Sequence, residues 1–198
     1  MIYEICEKNN IPYSRVGKII IANGEDETKQ LEGIIVKARE CGARGLELID
    51  SDRVHELEPN VRADAAIHSP STGIMDAHGL MDHYHREARR KSGGDPLIRD
   101  TEVTGVEQKG DGYVVEMVSG GERFSVGERM VINSAGLYSD RVAEMAGIDI
   151  DEGDYFSITG KPPAKMLVYP PSPLDATSLG IHTVPGLTGR LKFGPSMH

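Results

Sequence analysis

Basic residues are scarce in this chain. Its 22 Lys and Arg stand against 31 Asp and Glu, a formal net charge of −9. Binding along a nucleic acid needs clustered Lys and Arg against phosphates, so the balance excludes nucleic acid as the expected partner. The densest basic group, Arg86, Arg89, Arg90 and Lys91, falls at the end of a predicted helix, where it complements the helix dipole. Cysteine is sparser still, at two residues. Cys6 and Cys41 lie far apart and outside any Cys-x-x-Cys pattern, which reads as two free thiols in a reducing compartment and excludes a disulfide framework. No apolar run approaches the length of a membrane span and no signal-peptide pattern opens the chain, so the expected location is cytoplasmic. Peripheral association with a membrane stays open, and the sequence sets no oligomeric state. Internal repeats and low-complexity stretches are absent. So are a Gly-x-Ser-x-Gly elbow and a phosphate-binding P-loop.

What is present is enough for one large or two small domains with a real core, in 198 residues. Met1 to Asn9 reads as the tail of a helix, and Lys18 to Ala22 as a short strand. A helix follows the Asn23-Gly24 turn, with Asp26 as its expected cap. Leu31, Ile34, Ile35 and Ala38 form its core-facing stripe, and it stops at Cys41-Gly42. Leu46 to Ile49 is a strand, and Ser51 or Asp52 caps a helical turn closed by Pro59. Ala65 to His68 is a strand leading to the Ser69 to Gly73 loop. A second helix spans Ala77 to Lys91, capped by Asp76 and stopped by Gly93-Gly94. Met81, Tyr84 and Ala88 are its expected core-facing stripe. The pattern then changes to a β-meander over Thr101 to Gln108, Gly112 to Val118 and Arg123 to Val126. After Asp151 it is β-like again, over Asp154 to Thr159, Lys165 to Tyr169, Leu179 to Val184 and Gly189 to Phe193. The Pro170 to Pro173 patch reads as a turn or an edge.

The most informative stretch is Met130-Val-Ile-Asn-Ser-Ala-Gly-Leu-Tyr-Ser-Asp140. A buried strand over Met130 to Ile132, a small-residue turn over Asn133 to Gly136 and a helix from about Leu137 to Gly147 would offer free backbone N–H groups to an anion. Two other groups bear chemistry. His182 lies on a β-like run, and an imidazole there suits proton transfer at neutral pH or a hydrogen bond to a hydroxyl; a structural strand histidine is the plainer alternative. His78, Asp82 and His85 recur at i, i+4 and i+7 on one helix face, with His83 adjacent. Real metal sites draw ligands from more than one element, so this face reads as the wet side of the helix and no metal ligand is assigned.

The Met130 to Asp140 segment resembles the cofactor-contacting "V-I-N-A-A-G-x-x-x-D" strand of FAD-dependent oxidoreductases of the D-amino-acid oxidase type. Further pieces resemble the branch containing L-2-hydroxyglutarate oxidases and dehydrogenases. They are a tyrosine-and-cysteine helix before "I-P-x-x-x-x-G-K-I-x-x-A" (Tyr3 to Ala22), Glu58-Pro59, the Pro70 to Asp76 loop, Gly153-Asp-Tyr155, Leu179-Gly-Ile-His182 and a terminal Gly-Pro. Order and spacing carry the likeness, which covers nearly the whole chain.

The resemblance implies an α+β fold: a mixed or antiparallel substrate-domain sheet with helices, from residues 1–76 and 151–198, plus a middle piece of an FAD-binding domain, residues 77–150. It implies FAD contact through Val103, Ser134, Ala135, Gly136 and Leu137. It places His182 near substrate and flavin, with Tyr155, Lys165, Arg190 and Lys192 as sources of a phenol or cations for a dicarboxylate. The implied reaction passes a hydride from the carbinol carbon of a 2-hydroxy acid to flavin. Glycerol-3-phosphate dehydrogenases are cousins with similar parts and give the alternative substrate. The family's Gly-x-Gly-x-x-Gly turn, which seats the cofactor pyrophosphate, does not occur in this sequence. The chain is therefore expected to be an internal piece of a flavoenzyme that binds FAD weakly or not at all by itself. A standalone binding domain or one subunit of a split enzyme is the reading from another class.

Overall fold

A computed structural model describes residues 1–150, 153–171 and 180–197. In chain order the elements are α1 (Ile2–Asn9), β1 (Tyr13–Ser14), β2 (Lys18–Ala22), α2 (Gly24–Glu40), β3 (Glu47–Asp50), α3 (Ser51–Leu57), β4 (Ala65–Ser69), β5 (Ile74–Met75) and α4 (Ala77–Ser92). There follow β6 (Thr101–Lys109), β7 (Gly112–Ser119), β8 (Glu122–Glu128), a 3-10 turn (Gly136–Tyr138), α5 (Ser139–Met145), β9 (Gly153–Ser157), β10 (Leu167–Tyr169), β11 (His182–Pro185) and β12 (Leu191–Met197). The fold is α+β with small mixed and antiparallel sheets. It divides into two compact units, one of Met1–His83 with Gly153–Met197 and one containing the described residues 84–150.

The first unit is built on a four-stranded sheet in the order β10-β2-β4-β3, where β10 runs parallel to β2 and the other pairs are antiparallel. The Lys18-Ile-Ile-Ile-Ala22 run explains its layering, because successive side chains of a strand point to opposite faces. Ile19, fully buried, packs with Val54, Ala66 and Met166, and Ile21 joins them. Ala22 packs on the opposite face with Leu31, Ile35 and Ile67, joined by Ile20. A strand covered on both faces needs a continuous apolar run rather than alternation, which is what this stretch has. Leu31 and Ile35 bring α2 down on one face as its spacing predicts, and Val54 does the same for α3. A second sheet in this unit, β11-β12-β9, is antiparallel throughout.

A buried carboxylate fixes β10. Glu58 is 2% exposed, and its Oε1 accepts the backbone N–H groups of Lys165 at 2.7 Å and Met166 at 2.5 Å. The Thr183 hydroxyl then ties β11 to β10, donating to the Met166 carbonyl at 2.9 Å and accepting from the Val168 N–H at 2.7 Å.

The second unit holds the antiparallel meander β6-β7-β8, with a register irregularity between Val103 and Gly105, and α5.

Several expectations change. The α2 cap is Asn23, not Asp26: Asn23 has the extended backbone of a cap, and Glu27 reaches back to accept its N–H at 2.7 Å. Asp50, one residue before the expected position, caps α3 through the Arg53 N–H. Met130 to Ile132 is not a buried strand. It pairs with no strand among the described residues, and Met130 and Ile132 are 72% and 78% exposed. A strand exists only through its neighbour's hydrogen bonds, and apolar composition alone cannot supply one. The Met81, Tyr84, Ala88 stripe of α4 is exposed, because spacing picks out a helix face but does not provide anything to cover it. Asp76 does cap this helix, accepting the His78 N–H at 3.1 Å. The expected strand start at Leu179, the boundary at Asp151 and the Ser172-Pro173 end of the proline patch lie outside the described residues.

Candidate active site

In the first unit, the β11-β12-β9 sheet gathers the titratable side chains. His182 pairs with Gly194, Val184 with Lys192, and Lys192 with Ser157. Directly opposed residues share a sheet face, so His182 and Lys192 project from the same side. Tyr155 joins them through a glycine. A Cβ on Gly194 would lie 2.7 Å from the Tyr155 ring, so only the bare backbone there lets the phenol ring lie over β12 and reach the histidine.

The contacts assign protons. His182 is 5% exposed, and its Nδ1 lies 2.9 Å from the Gly180 carbonyl, which can only accept. Nδ1 therefore carries the hydrogen, and in the neutral ring Nε2 offers a lone pair. The Tyr155 hydroxyl, 3.3 Å from Nε2, is the donor to it. Tyr155 meets the imidazole edge-on, with ring centroids 5.8 Å apart. Tyr169 stacks on the imidazole face with centroids 4.0 Å apart. Burial, and next the charge of a neighbouring Tyr155, push the Tyr169 phenol above its ordinary range, so it stays protonated at neutral pH. Lys18 Nζ sits 5.2 Å from the Tyr169 ring centroid. The imidazole is thus locked in one tautomer and one orientation between two tyrosines, and the half-exposed Tyr155 is the member open to a ligand.

Sequence reasoning marked His182, Tyr155 and Lys192, which share this face. It missed Tyr169 and Lys18, whose strands lie far apart in sequence and meet only through the parallel β10–β2 pairing. Arg190 and Lys165 lie elsewhere. Arg190 follows the β11-β12 turn, roughly 13 Å along the hairpin from Gly194 at about 3.3 Å per residue. It lines a separate cavity together with Lys165.

In the second unit, Val103 and Ala135 line one cavity of about 490 Å³ with Arg141, Tyr138 and Glu102. That volume is in the range of ligand pockets, about 300–1,000 Å³. Asn133 shapes the turn: its amide donates to the Ser139 carbonyl at 2.7 Å, and its side-chain oxygen accepts the Ala135 N–H at 3.2 Å. Gly136 takes φ +62, and a Cβ there would meet nothing within 4 Å, so its backbone faces open space. Ser134 and Leu137 are exposed beside it. The arrangement is an open small-residue turn next to this cavity, where backbone can approach a ligand closely. On α4, His85 bonds Asp95 at 2.7 Å, and no group of three or more metal-ligating side chains comes together among the described residues.

The first unit thus carries a locked imidazole–phenol pair, and the second carries an open small-residue turn beside a cavity. The chain belongs to the FAD dependent oxidoreductase family, whose model matches residues 1–198. It is 32% identical to an L-2-hydroxyglutarate dehydrogenase, mitochondrial, of Caenorhabditis elegans, over 98% of this chain and 46% of that protein. It is 29% identical to an L-2-hydroxyglutarate dehydrogenase of Indibacter alkaliphilus, over 96% of this chain and 49% of that protein. The chain thus spans about half the length of the curated relatives it matches. Among solved structures it is similar to the L-proline dehydrogenase of P. horikoshii, with TM-score 0.68 and 17% identity over 98% of this chain and 52% of that one. It is also similar to the FAD-bound L-alpha-glycerophosphate oxidase of Mycoplasma pneumoniae, with TM-score 0.63 and 21% identity over 95% and 51%.

Proposed function

We propose that this chain carries the substrate face and part of the cofactor site of an FAD-dependent oxidoreductase that oxidises a 2-hydroxy acid of the 2-hydroxyglutarate kind. The observation that carries the reading is the Tyr155–His182 pair, in a chain whose similarity to L-2-hydroxyglutarate dehydrogenases runs from end to end. Val103 and Ala135 would hold the cofactor at the cavity they line, with the open Gly136 backbone next to Ala135 in the chain. A bound flavin supplies hydride acceptance from the carbinol carbon.

The chain's own residues deal with the proton and the charge. Oxidation of an alcohol releases the hydroxyl proton as the hydride leaves. The Tyr155 oxygen has lone pairs free to accept a hydrogen bond from that hydroxyl while it donates to His182 Nε2. A proton taken up at Tyr155 is matched by one delivered to Nε2, and Nδ1–H stays anchored on Gly180. Tyr169, packed on the imidazole face, keeps the ring in register. Lys192, on the same sheet face, offers a cation to a substrate carboxylate.

The test is dye reduction by the protein expressed with its in-frame flanking coding sequence. L-2-hydroxyglutarate is expected to support turnover, and Tyr155→Phe and His182→Gln to lower kcat by about 10²–10⁴. Turnover with glycerol 3-phosphate and none with hydroxy acids would shift the reading to the cousin activity, and variants with wild-type rates would sink the proton path. The 198-residue chain alone should retain little FAD on equilibrium dialysis, because it lacks the Gly-x-Gly-x-x-Gly cradle; tight stoichiometric flavin would contradict this.

A further inference from the structure

A cavity of about 310 Å³ in the first unit has Lys161, Lys165 and Arg190 as its charged lining and no carboxylate. In a chain with 31 acidic and 22 basic residues, an all-cationic lining runs against the composition. None of the three side chains forms an ion pair or hydrogen bond within the described residues. Ser14 apart, the remaining side chains of the wall are apolar, with Val16, Ile74 and Leu187 among them.

The backbone that carries the cations is fixed in advance. Lys161 and Lys165 bracket a loop held at two points: the Asn60 amide donates to the Pro163 carbonyl at 2.8 Å, and the Lys165 N–H donates to the buried Glu58. Arg190 is held by its carbonyl, which accepts the Gly186 N–H at 2.8 Å, and by Leu191, 1% exposed, next to it. Binding there has little backbone left to order, which favours a ligand.

We infer that this cavity is a binding site for a small organic anion with an apolar body, an alkyl or aryl carboxylate, distinct from the Tyr155–His182 face. Lys161, Lys165 and Arg190 receive the carboxylate, and the apolar wall receives the body. His182 and Tyr155 are not in its lining. The inference does not rest on the flavoenzyme reading and holds for a chain with no turnover.

The test is titration of the full 198-residue chain at low salt by NMR, with octanoate as the probe. Octanol supplies the same body without the charge, and inorganic phosphate the charge without the body. Saturable octanoate binding is expected, with shifts at Val16, Ala164 and Leu187 and with both controls weaker. Lys165→Gln and Arg190→Gln should each weaken it about threefold, and the double variant about tenfold, the range for exposed charges. All three side chains are exposed, so the variants should fold, and the probe comparison on the wild-type chain requires no variant. Lack of saturation, octanol or phosphate binding as tightly as octanoate, or a double variant with wild-type affinity would each overturn the inference.

Discussion

Glu58 sets a sharp test of what holds the first unit together. It accepts two backbone N–H groups just before β10, at 2.7 and 2.5 Å, and is almost wholly buried. Hydrogen bonds to a charged group contribute about 1.5–3 kcal/mol each, and a buried donor left unpaired costs about 1–3 kcal/mol. Glu58→Ala removes both bonds, strands the Met166 N–H in a buried place and opens a void. The expected loss is about 3–5 kcal/mol, a large part of the roughly 5–15 kcal/mol that holds most domains folded. Glu58→Gln keeps an acceptor oxygen in place. Charge-assisted bonds are roughly twice as strong as neutral ones, so this variant should lose about half as much. Urea unfolding followed by far-UV circular dichroism reads the difference. With a slope near 2 kcal/mol per molar, the alanine midpoint should fall by about 2 M. Because the chain has two compact units, amide exchange at Lys165 and Met166 serves as the local readout. An alanine variant with a wild-type midpoint and unchanged protection of those amides would refute the assignment. A glutamine variant as damaged as alanine would refute the division between charge and geometry.

Other outcomes follow from single contacts. Burial holds the His68 imidazole below its ordinary range, against the smaller opposing pull of Glu47. Its contribution to stability is therefore present above about pH 6.5 and is lost as pH falls through the lowered folded value; His68→Gln should flatten that acid limb in urea midpoints measured across pH 7 to 4, and an unchanged limb would count against the burial argument. Gly194→Ala places a methyl group against the Tyr155 ring and the Asp154 carbonyl, so the His182 Nε2 ¹⁵N resonance should shift as it loses the Tyr155 donor, while Nδ1–H stays on Gly180 and the four-stranded sheet keeps its amide protection. An unaltered His182 spectrum in that variant would show that the glycine is not what seats Tyr155.

Local periodicity made much of the fold legible. The apolar run at Lys18 to Ala22, the Leu31-Ile35 stripe and the β-meander reappear almost residue for residue, because each is written in a period the backbone must respect. Cap positions slipped by one to three residues where several capping side chains stand side by side, as in Asp50-Ser51-Asp52. The larger errors arose where burial depends on a partner rather than on composition, at Met130 to Ile132 and on α4. The candidate site divides in the same way. His182 and Tyr155 lie in recognisable motifs, but their bond depends on Gly194, and Tyr169 arrives through a parallel strand pairing that no local pattern announces. Glu58, in sequence one half of a Glu-Pro pair, is a clamp for backbone more than a hundred residues away.

The stretch from Met130 to Ile132 has a consequence for how the protein behaves as a material. Its backbone is unpaired among the described residues, and Met130, Ile132 and nearby Leu137 are 72%, 78% and 94% exposed. An exposed apolar segment with open backbone hydrogen-bonding groups is a template on which a second molecule can add a strand. Colloidal stability should therefore depend on concentration long before thermal unfolding sets in. Light scattering should report growth suppressed by Ile132→Lys, at no cost in melting temperature; growth at the wild-type rate in that variant would point to a different sticky surface.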